Sequence, residues 1–269
     1  EHWVLPITPY GVERGIFQCA HLRPEETGKT LTIALPAEAI QKFIAGRVTV
    51  APLLTQVLLG SLTELAQYPW GCVEQTTSML IPNLVVAEVL KKNRIASPLL
   101  EAKVATHAGA GIAKLLGFQN QNGTWGWWNG TEADPTMTVY VMYSLTLARR
   151  AGFAVPAEAY NKGLAAQKAL LGREPSVDLR ALNLYTLAMA GKAPASVVSG
   201  LVKASPSLSP YALSLLGLTL KETGQRPDMQ KAVQLLAGKA IQTGDEAHWE
   251  GNVQYHLFPY AQPVDSTAM

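Results

Sequence analysis

Charge is scarce in this 269-residue chain. Asp, Glu, Lys and Arg make up 16% of it, and the formal net charge is only +2. A soluble domain ordinarily has about a quarter of its residues charged. No run of lysine or arginine occurs, so the electrostatic footprint of a nucleic-acid binder is missing. Cysteine is scarcer still. The pair Cys19 and Cys72 is too few for a disulfide scaffold, though enough for one bridge. Every apolar stretch is cut by polar residues well short of the roughly 20 positions that a membrane helix needs. Neither Cys-x-x-Cys nor His-Glu-x-x-His appears, and the spacing of His248 and His256 fits no standard metal site. No cofactor or metal is expected. No secretory leader is visible either. The chain starts in strand-like sequence and stops abruptly at Asp265–Met269, which reads as a fragment of a longer protein.

What is abundant is apolar sequence, at 48%. Residues 1–51 read as strands. Leu31, Ile33 and Leu35 alternate along Thr30–Leu35, and Arg14–Leu22 and Arg47–Ala51 are β-like too. This is too little strand for a closed β domain. After Pro52 the period becomes helical: Leu53, Leu54, Val57, Leu58, Leu62 and Leu65 follow it. Further helices are predicted near 73–93, 98–116, 136–151, 156–171, 176–191, 194–203, 208–223 and 227–241. Glycine at 117, 152, 172, 191 and 224 marks their ends, and proline at 98, 156, 175, 194, 210 and 227 marks starts. Hairpins of similar length suggest an α/α array with inner helices buried on several sides.

The stretch Tyr68-Pro-Trp-Gly-Cys-Val-Glu-Gln-Thr-Thr-Ser78 carries the chemistry. Cys72 and Gln75 are three apart, and side chains at that spacing are neighbours on a helical turn. A thiol so placed can attack the glutamine carboxamide, expel ammonia and close an internal thioester. Pro69 and Gly71 permit a sharp approach to the turn. A thioester is a stored electrophile that must be kept dry, and Tyr68 and Trp70 are large enough to wall it off. Once it is exposed, an amine or hydroxyl attacks the Gln75 acyl carbon and the Cys72 thiolate leaves. Glu74 either caps and orients the turn or is simply solvated; its position does not decide between the two.

These residues resemble the thioester motif Gly-Cys-x-Glu-Gln of the alpha-2-macroglobulin and complement C3 superfamily, with the upstream Tyr-Pro of bacterial members. Val73 stands where Gly or Leu is commoner. Gln119–Trp125, Gly126-Trp-Trp128 and Thr136–Tyr140 are similar to the glycine-tryptophan turn and following helix of that family, and also to repeats of terpenoid cyclases. The resemblance implies a mostly α, terpenoid cyclase-like α/α toroid over 52–269, truncated at its C-terminus, after a partial CUB-like β segment over 1–51. It implies a covalent protease trap and not a turnover enzyme. The expected partners are attacking proteases and, through the parent chain, a cell-wall synthase of the penicillin-binding class. The expected address is the periplasm or cell envelope, with a lipoprotein anchor in the parent. Complement-type members use a downstream histidine for acyl transfer. The corresponding helix here has none, which leaves Asn183 as a candidate neighbour. Trp125, Trp127 and Trp128 are expected to include at least two core plugs. Two other readings stand beside the trap: a toroid enzyme of cyclase or lyase type, for which no Asp-rich run appears, and a binding toroid with no live thioester. His107 reads as a satisfied core or surface residue.

Overall fold

The computed structural model describes residues 15–16, 18, 20, 22–23, 25–37, 44–46, 48, 65–243 and 246–250. The chain divides into two compact units, Glu1–Ala51 and Pro52–Met269.

In the first unit, Thr30–Leu35 is not a strand, and Leu31, Ile33 and Leu35 are exposed. The alternating pattern is there, but a strand forms only when a neighbour takes its backbone hydrogen bonds. None of the described residues of this unit does so. Of the strand expected at 14–22, Gly15, Ile16, Gln18, Ala20 and Leu22 are described and none is in a strand, while the strand expected at 47–51 and the helix expected over 53–65 lie outside the described residues except for Val48 and Leu65.

The second unit is an α/α toroid. Its described helices are α1 (Val73–Lys92), α2 (Pro98–Gly117), α3 (Pro135–Ala151), α4 (Ala157–Leu170), α5 (Val177–Met189), α6 (Ala195–Ala204), α7 (Pro210–Glu222) and α8 (Arg226–Ala237). A 3-10 turn at Ser205–Ser207 precedes α7, and strands β1 (Ile241–Thr243) and β2 (Glu246–His248) form an antiparallel hairpin. Local chemistry fixes the boundaries. Asp134, Ser176 and Ser209 accept N–H bonds as N-caps of α3, α5 and α7, and Gly152 ends α3 in the left-handed region. The helix expected to run to 241 stops at Ala237, because the chain turns at Gly238 and pairs as β1.

Alternation of burial defines the layers. Helices α1, α3, α5 and α7 pack successively on one another, and each also packs on the helix that follows it in sequence. In α5, Leu179, Leu182 and Met189 are buried, but so are Ala181, Leu184, Thr186 and Leu187, which point other ways. By contrast α6 buries only Val198 and Leu201, and α8 only Ala232. The odd-numbered helices therefore form the inner layer, and the even-numbered ones form an outer layer with a single apolar stripe. A helix hydrophobic around most of its circumference has to be enclosed, so the low charge content follows from this architecture. The core around α1 and α3 collects Val73, Leu80, Leu84, Ile112, Trp125, Met137, Val141 and Leu145. The second core gathers around α5 and α7. A cavity of about 1100 Å³ opens at the N-terminal ends of α5 and α7, lined by Ser176, Asp178, Arg180, Leu201, Ser209 and Lys239.

Candidate functional site

A helix start leaves its first N–H groups without intrahelical partners. At the start of α1 these groups arrange the site. Cys72 is the N-cap, in extended backbone, and its Sγ accepts from the Gln75 N–H at 3.5 Å. In return the Gln75 side chain folds back, and its Oε1 accepts from the Cys72 N–H at 3.1 Å. This is a capping box, the reciprocal arrangement that Ser or Thr makes with Glu or Gln three positions on. Here cysteine takes the hydroxyl residue's place. The helix cap therefore brings the thiol and the carboxamide together by the same geometry that stabilises ordinary helix starts. Cys72 is a free, buried thiol.

Gly71 makes the fold-back feasible. Its φ is +91°, and a Cβ there would overlap Gln75 Oε1 and lie 2.7 Å from the carboxamide carbon. The Gln75 amide occupies the space that any other residue at 71 would fill. The next donor, the Val73 N–H, is satisfied by the Trp127 carbonyl at 3.1 Å, so the glycine-tryptophan turn buttresses the cap.

The approach to the turn is clamped from two helices. Asn83 of α1 donates to Gln67 O at 2.9 Å, and Lys114 of α2 donates to Pro69 O at 3.4 Å. Pro69 is buried over Gly111, whose missing side chain leaves room for the ring. Tyr68 and Trp70 lie against each other with ring centroids 4.4 Å apart, and His107 of α2 meets the Tyr68 ring edge-on at 5.6 Å. Cys72 is only 7% exposed, yet Gln75 is exposed and Trp70 is 67% exposed. The sulfur is covered while the acyl residue faces outward.

Glu74 makes no cap bond, because Cys72 and Gln75 already form the cap. It accepts from Ser78 Oγ at 2.6 Å, and Ser78 in turn contacts the Tyr140 hydroxyl of α3 at 3.0 Å. Of the three tryptophans, only Trp125 is a core plug: it is fully buried, and its indole N–H donates to Leu115 O at 2.7 Å. Trp127 and Trp128 are exposed, Trp128 to 58%, which corrects the expectation of two plugs. The physical reason is Gly126, where a Cβ would overlap Thr131 Oγ1 and Glu132 O. The loop folds tightly on itself there and turns the two rings outward, with the Trp127 N–H on the Asp134 carboxylate at 3.1 Å. Asn183 is not brought to the turn. It is fully buried, and its amide donates to Gln167 O at 3.0 Å and Glu174 Oε1 at 2.9 Å, so both of its N–H groups serve the toroid. His107 is held against Tyr68, and its Nδ1 is buried without a hydrogen-bond partner. Among the described residues, no group of three metal-ligating side chains occurs, and no helix is long and apolar enough to cross a membrane.

A double-layered α/α toroid that presents a cysteine N-cap to a glutamine three residues on is the arrangement that closing an internal thioester would need. Residues 48–165 match the A-macroglobulin TED domain family. The chain is similar over much of its length to members of the alpha-2-macroglobulin and complement superfamily. It is 28% identical over 274 residues to alpha-2-macroglobulin of Escherichia coli K12, an alignment covering 94% of this chain and 16% of that protein. Among solved structures it is similar to Salmonella alpha-2-macroglobulin reacted with methylamine, with 27% identity, TM-score 0.56, and 70% of this chain and 13% of that one covered. It is similar also to trypsin-activated E. coli alpha-2-macroglobulin, with 27% identity, TM-score 0.54, and 64% and 13% covered. The chain spans between 9% and 16% of the length of the curated relatives with which these comparisons begin.

Proposed function

We propose that Cys72 and Gln75 close an internal thioester, and that the chain is the reactive part of a covalent protease trap. The observation that carries this reading is the cysteine capping box, with Gln75 folded back over Gly71 toward Cys72. Attack of Sγ on the Gln75 carboxamide carbon releases ammonia and leaves the acyl group on sulfur. A thiolate is a far better leaving group than an alkoxide, so the bond stays reactive toward amines. The acyl group is consumed when it is used, so each molecule acts once.

The similarity to a relative solved after reaction with methylamine supports amines as nucleophiles, and the trypsin-activated relative supports proteases as targets. Lysine side chains of an attacking protease are the natural amines. Tyr68, Pro69, Trp70 and Gly71 position and partly shield the bond. The exposure of Trp70 and Gln75 fits a shield completed by parts of the protein outside the described residues. A toroid domain over 52–269 and a CUB-like segment over 1–51 fit this assignment, as does a periplasmic or envelope-anchored parent that works beside a penicillin-binding synthase.

Intact mass tests the reading. The protein should weigh about 17 Da less than its sequence, and methylamine should bind once and free one thiol. A full sequence mass together with a freely titrating Cys72 would rule the thioester out.

A further inference from the structure

The loop between α2 and α3 holds two Asn-Gly pairs, Asn122-Gly123 and Asn129-Gly130. Asparagine is a thermolabile residue. Before glycine it is most so, because no Cβ hinders the glycine nitrogen as it approaches the asparagine carboxamide. The two pairs are alike in sequence and opposite in surroundings.

At the first pair every group is tied. Asn122 Oδ1 accepts from the Thr124 N–H at 3.2 Å and from Thr124 Oγ1 at 2.6 Å. The Gly123 N–H donates to Asn120 O at 2.9 Å. Gly123 is buried, and a Cβ there would overlap Lys162 O of α4. The nitrogen that would attack is committed, the carboxamide is held on Thr124, and α4 leaves the backbone no room to turn.

The second pair forms the tip of a turn. The Thr131 N–H closes the turn onto Trp128 O at 3.2 Å, and Thr131 Oγ1 also bonds the Trp128 N–H and carbonyl. Gly130 has φ +71°, and a Cβ there would meet nothing within 4 Å. Both Asn129 and Gly130 are exposed. Among the described residues, no hydrogen bond holds the Asn129 side chain or the Gly130 N–H. Thr131 fixes the ends of the turn, and nothing fixes its tip. Such loop tips open locally at little cost.

We propose that Asn129 is a site of spontaneous deamidation, and that Asn122 is protected from it by its hydrogen bonds. The Gly130 nitrogen loses its proton to hydroxide and bonds to Asn129 Cγ. The bond from Cγ to Nδ2 breaks, and that nitrogen takes a proton and leaves as ammonia. Water then opens the resulting succinimide at either carbonyl, giving aspartate or isoaspartate. Asparagine and water thus become an acidic residue and ammonia. Nothing in these steps depends on Cys72 or Gln75, so the proposal stands apart from the thioester reading. The product puts a carboxylate beside Trp128, and in isoaspartate one extra main-chain atom. Trp127 O, two residues earlier, is the acceptor of the Val73 N–H at the start of α1. The modification therefore falls on the turn that buttresses the helix cap.

The test incubates the full chain in warm, mildly alkaline buffer, with a parallel sample in denaturant, and weighs the peptides after cleavage at Trp125. In the folded chain the Asn129 peptide should gain about 1 Da and divide into aspartate and isoaspartate forms. It should do so at least about tenfold faster than the Asn122 peptide, the factor that releasing two ordinary hydrogen bonds imposes. In denaturant the two rates should converge, because both sites are then plain Asn-Gly pairs. The succinimide lacks one ammonia, as the proposed thioester does, but its deficit lies in the Asn129 peptide and not across Cys72–Gln75. Equal rates at the two sites in the folded chain overturn the proposal. So does an Asn129 peptide that stays unchanged in the folded chain while the denatured one reacts, or a difference between the sites that persists in denaturant.

Discussion

Adding one methyl group at Gly71 should abolish the proposed thioester while leaving the toroid folded. Two penalties arise at that position. A residue with a Cβ held at φ +91° costs on the order of 1–2 kcal/mol. The new carbon would also overlap Gln75 Oε1 and sit 2.7 Å from the carboxamide carbon, so the Gln75 side chain must swing out. That breaks the capping box, and losing a cap typically costs about 1 kcal/mol. The sum, about 2–3 kcal/mol, is less than the roughly 5–15 kcal/mol that holds a typical domain together, so Gly71→Ala should fold. Its melting temperature should fall by about 4–12 °C, at about 2–4 °C per kcal/mol for a domain of this size. The reactive bond is affected far more, because the thiol and the acyl carbon meet only while Gln75 is folded back. Intact mass should therefore show the full sequence mass in Gly71→Ala, with Cys72 titrating without any amine. If Gly71→Ala keeps the deficit of about 17 Da and releases its thiol to methylamine at the unaltered rate, the fold-back is not what closes the bond, and the reasoning fails.

Three further outcomes are expected. Cys72→Ser should keep the capping box, since serine is a better N-cap acceptor than cysteine, so the melting temperature should hold while the mass deficit disappears; a persistent deficit would place the bond elsewhere. Trp125→Ala should destabilise the domain by about 3–5 kcal/mol, because it empties a fully buried site and removes the indole bond to Leu115 O; chemical denaturation reading less than about 1 kcal/mol would contradict that packing. The Arg150–Glu222 pair ties α3 to α7, and the bond from Arg150 holds the Glu222 pKa below its ordinary 4.5. A lowered folded-state pKa gives stability that is present above 4.5 and lost as pH falls through the folded value. Glu222→Gln should accordingly flatten the acid limb of the melting-temperature profile below about pH 4.5 and leave its shape at neutral pH unchanged; an unchanged acid limb would show that the pair does not titrate with folding.

The legible parts of this molecule were those written locally. Pro98, Gly152 and Pro175 are boundary chemistry acting over a few residues, and the helices expected at 98–116, 136–151 and 176–191 appear at Pro98–Gly117, Pro135–Ala151 and Val177–Met189. The Cys72–Gln75 spacing was legible for the same reason, since a helical turn fixes it. What stayed hidden depends on distant partners. The alternation in Thr30–Leu35 shows a face but not the neighbouring strand needed to make it one. The spacing of Glu74 and Ser78 hints at a contact, yet nothing near them points to Tyr140 on another helix. Asn183 lies on the helix that the resemblance sets near the bond, whereas its amide is committed to Gln167 and Glu174 through the packing of α4, the following loop and α5. The outward turn of Trp127 and Trp128 comes from Gly126 folding against Thr131, and no count of aromatic residues contains that information.

Under the proposed thioester reading, forming the bond and protecting it are separate physical problems in this chain. Formation draws on a capping box that closes over four residues, buttressed by one carbonyl from the glycine-tryptophan turn. A helix start makes such a box with serine or threonine for stability alone, so the change to cysteine converts a structural device into a reactive one with little rearrangement of the fold. Protection has no local solution, because the acyl residue of a box at a helix start points toward solvent. Tyr68 and Trp70 lean on each other, and Tyr68 on His107, and still leave Gln75 exposed. On that reading, a bond that is easy to make and hard to cover suits a device that must react quickly once uncovered, and control of timing falls to whatever closes over that face and not to the toroid.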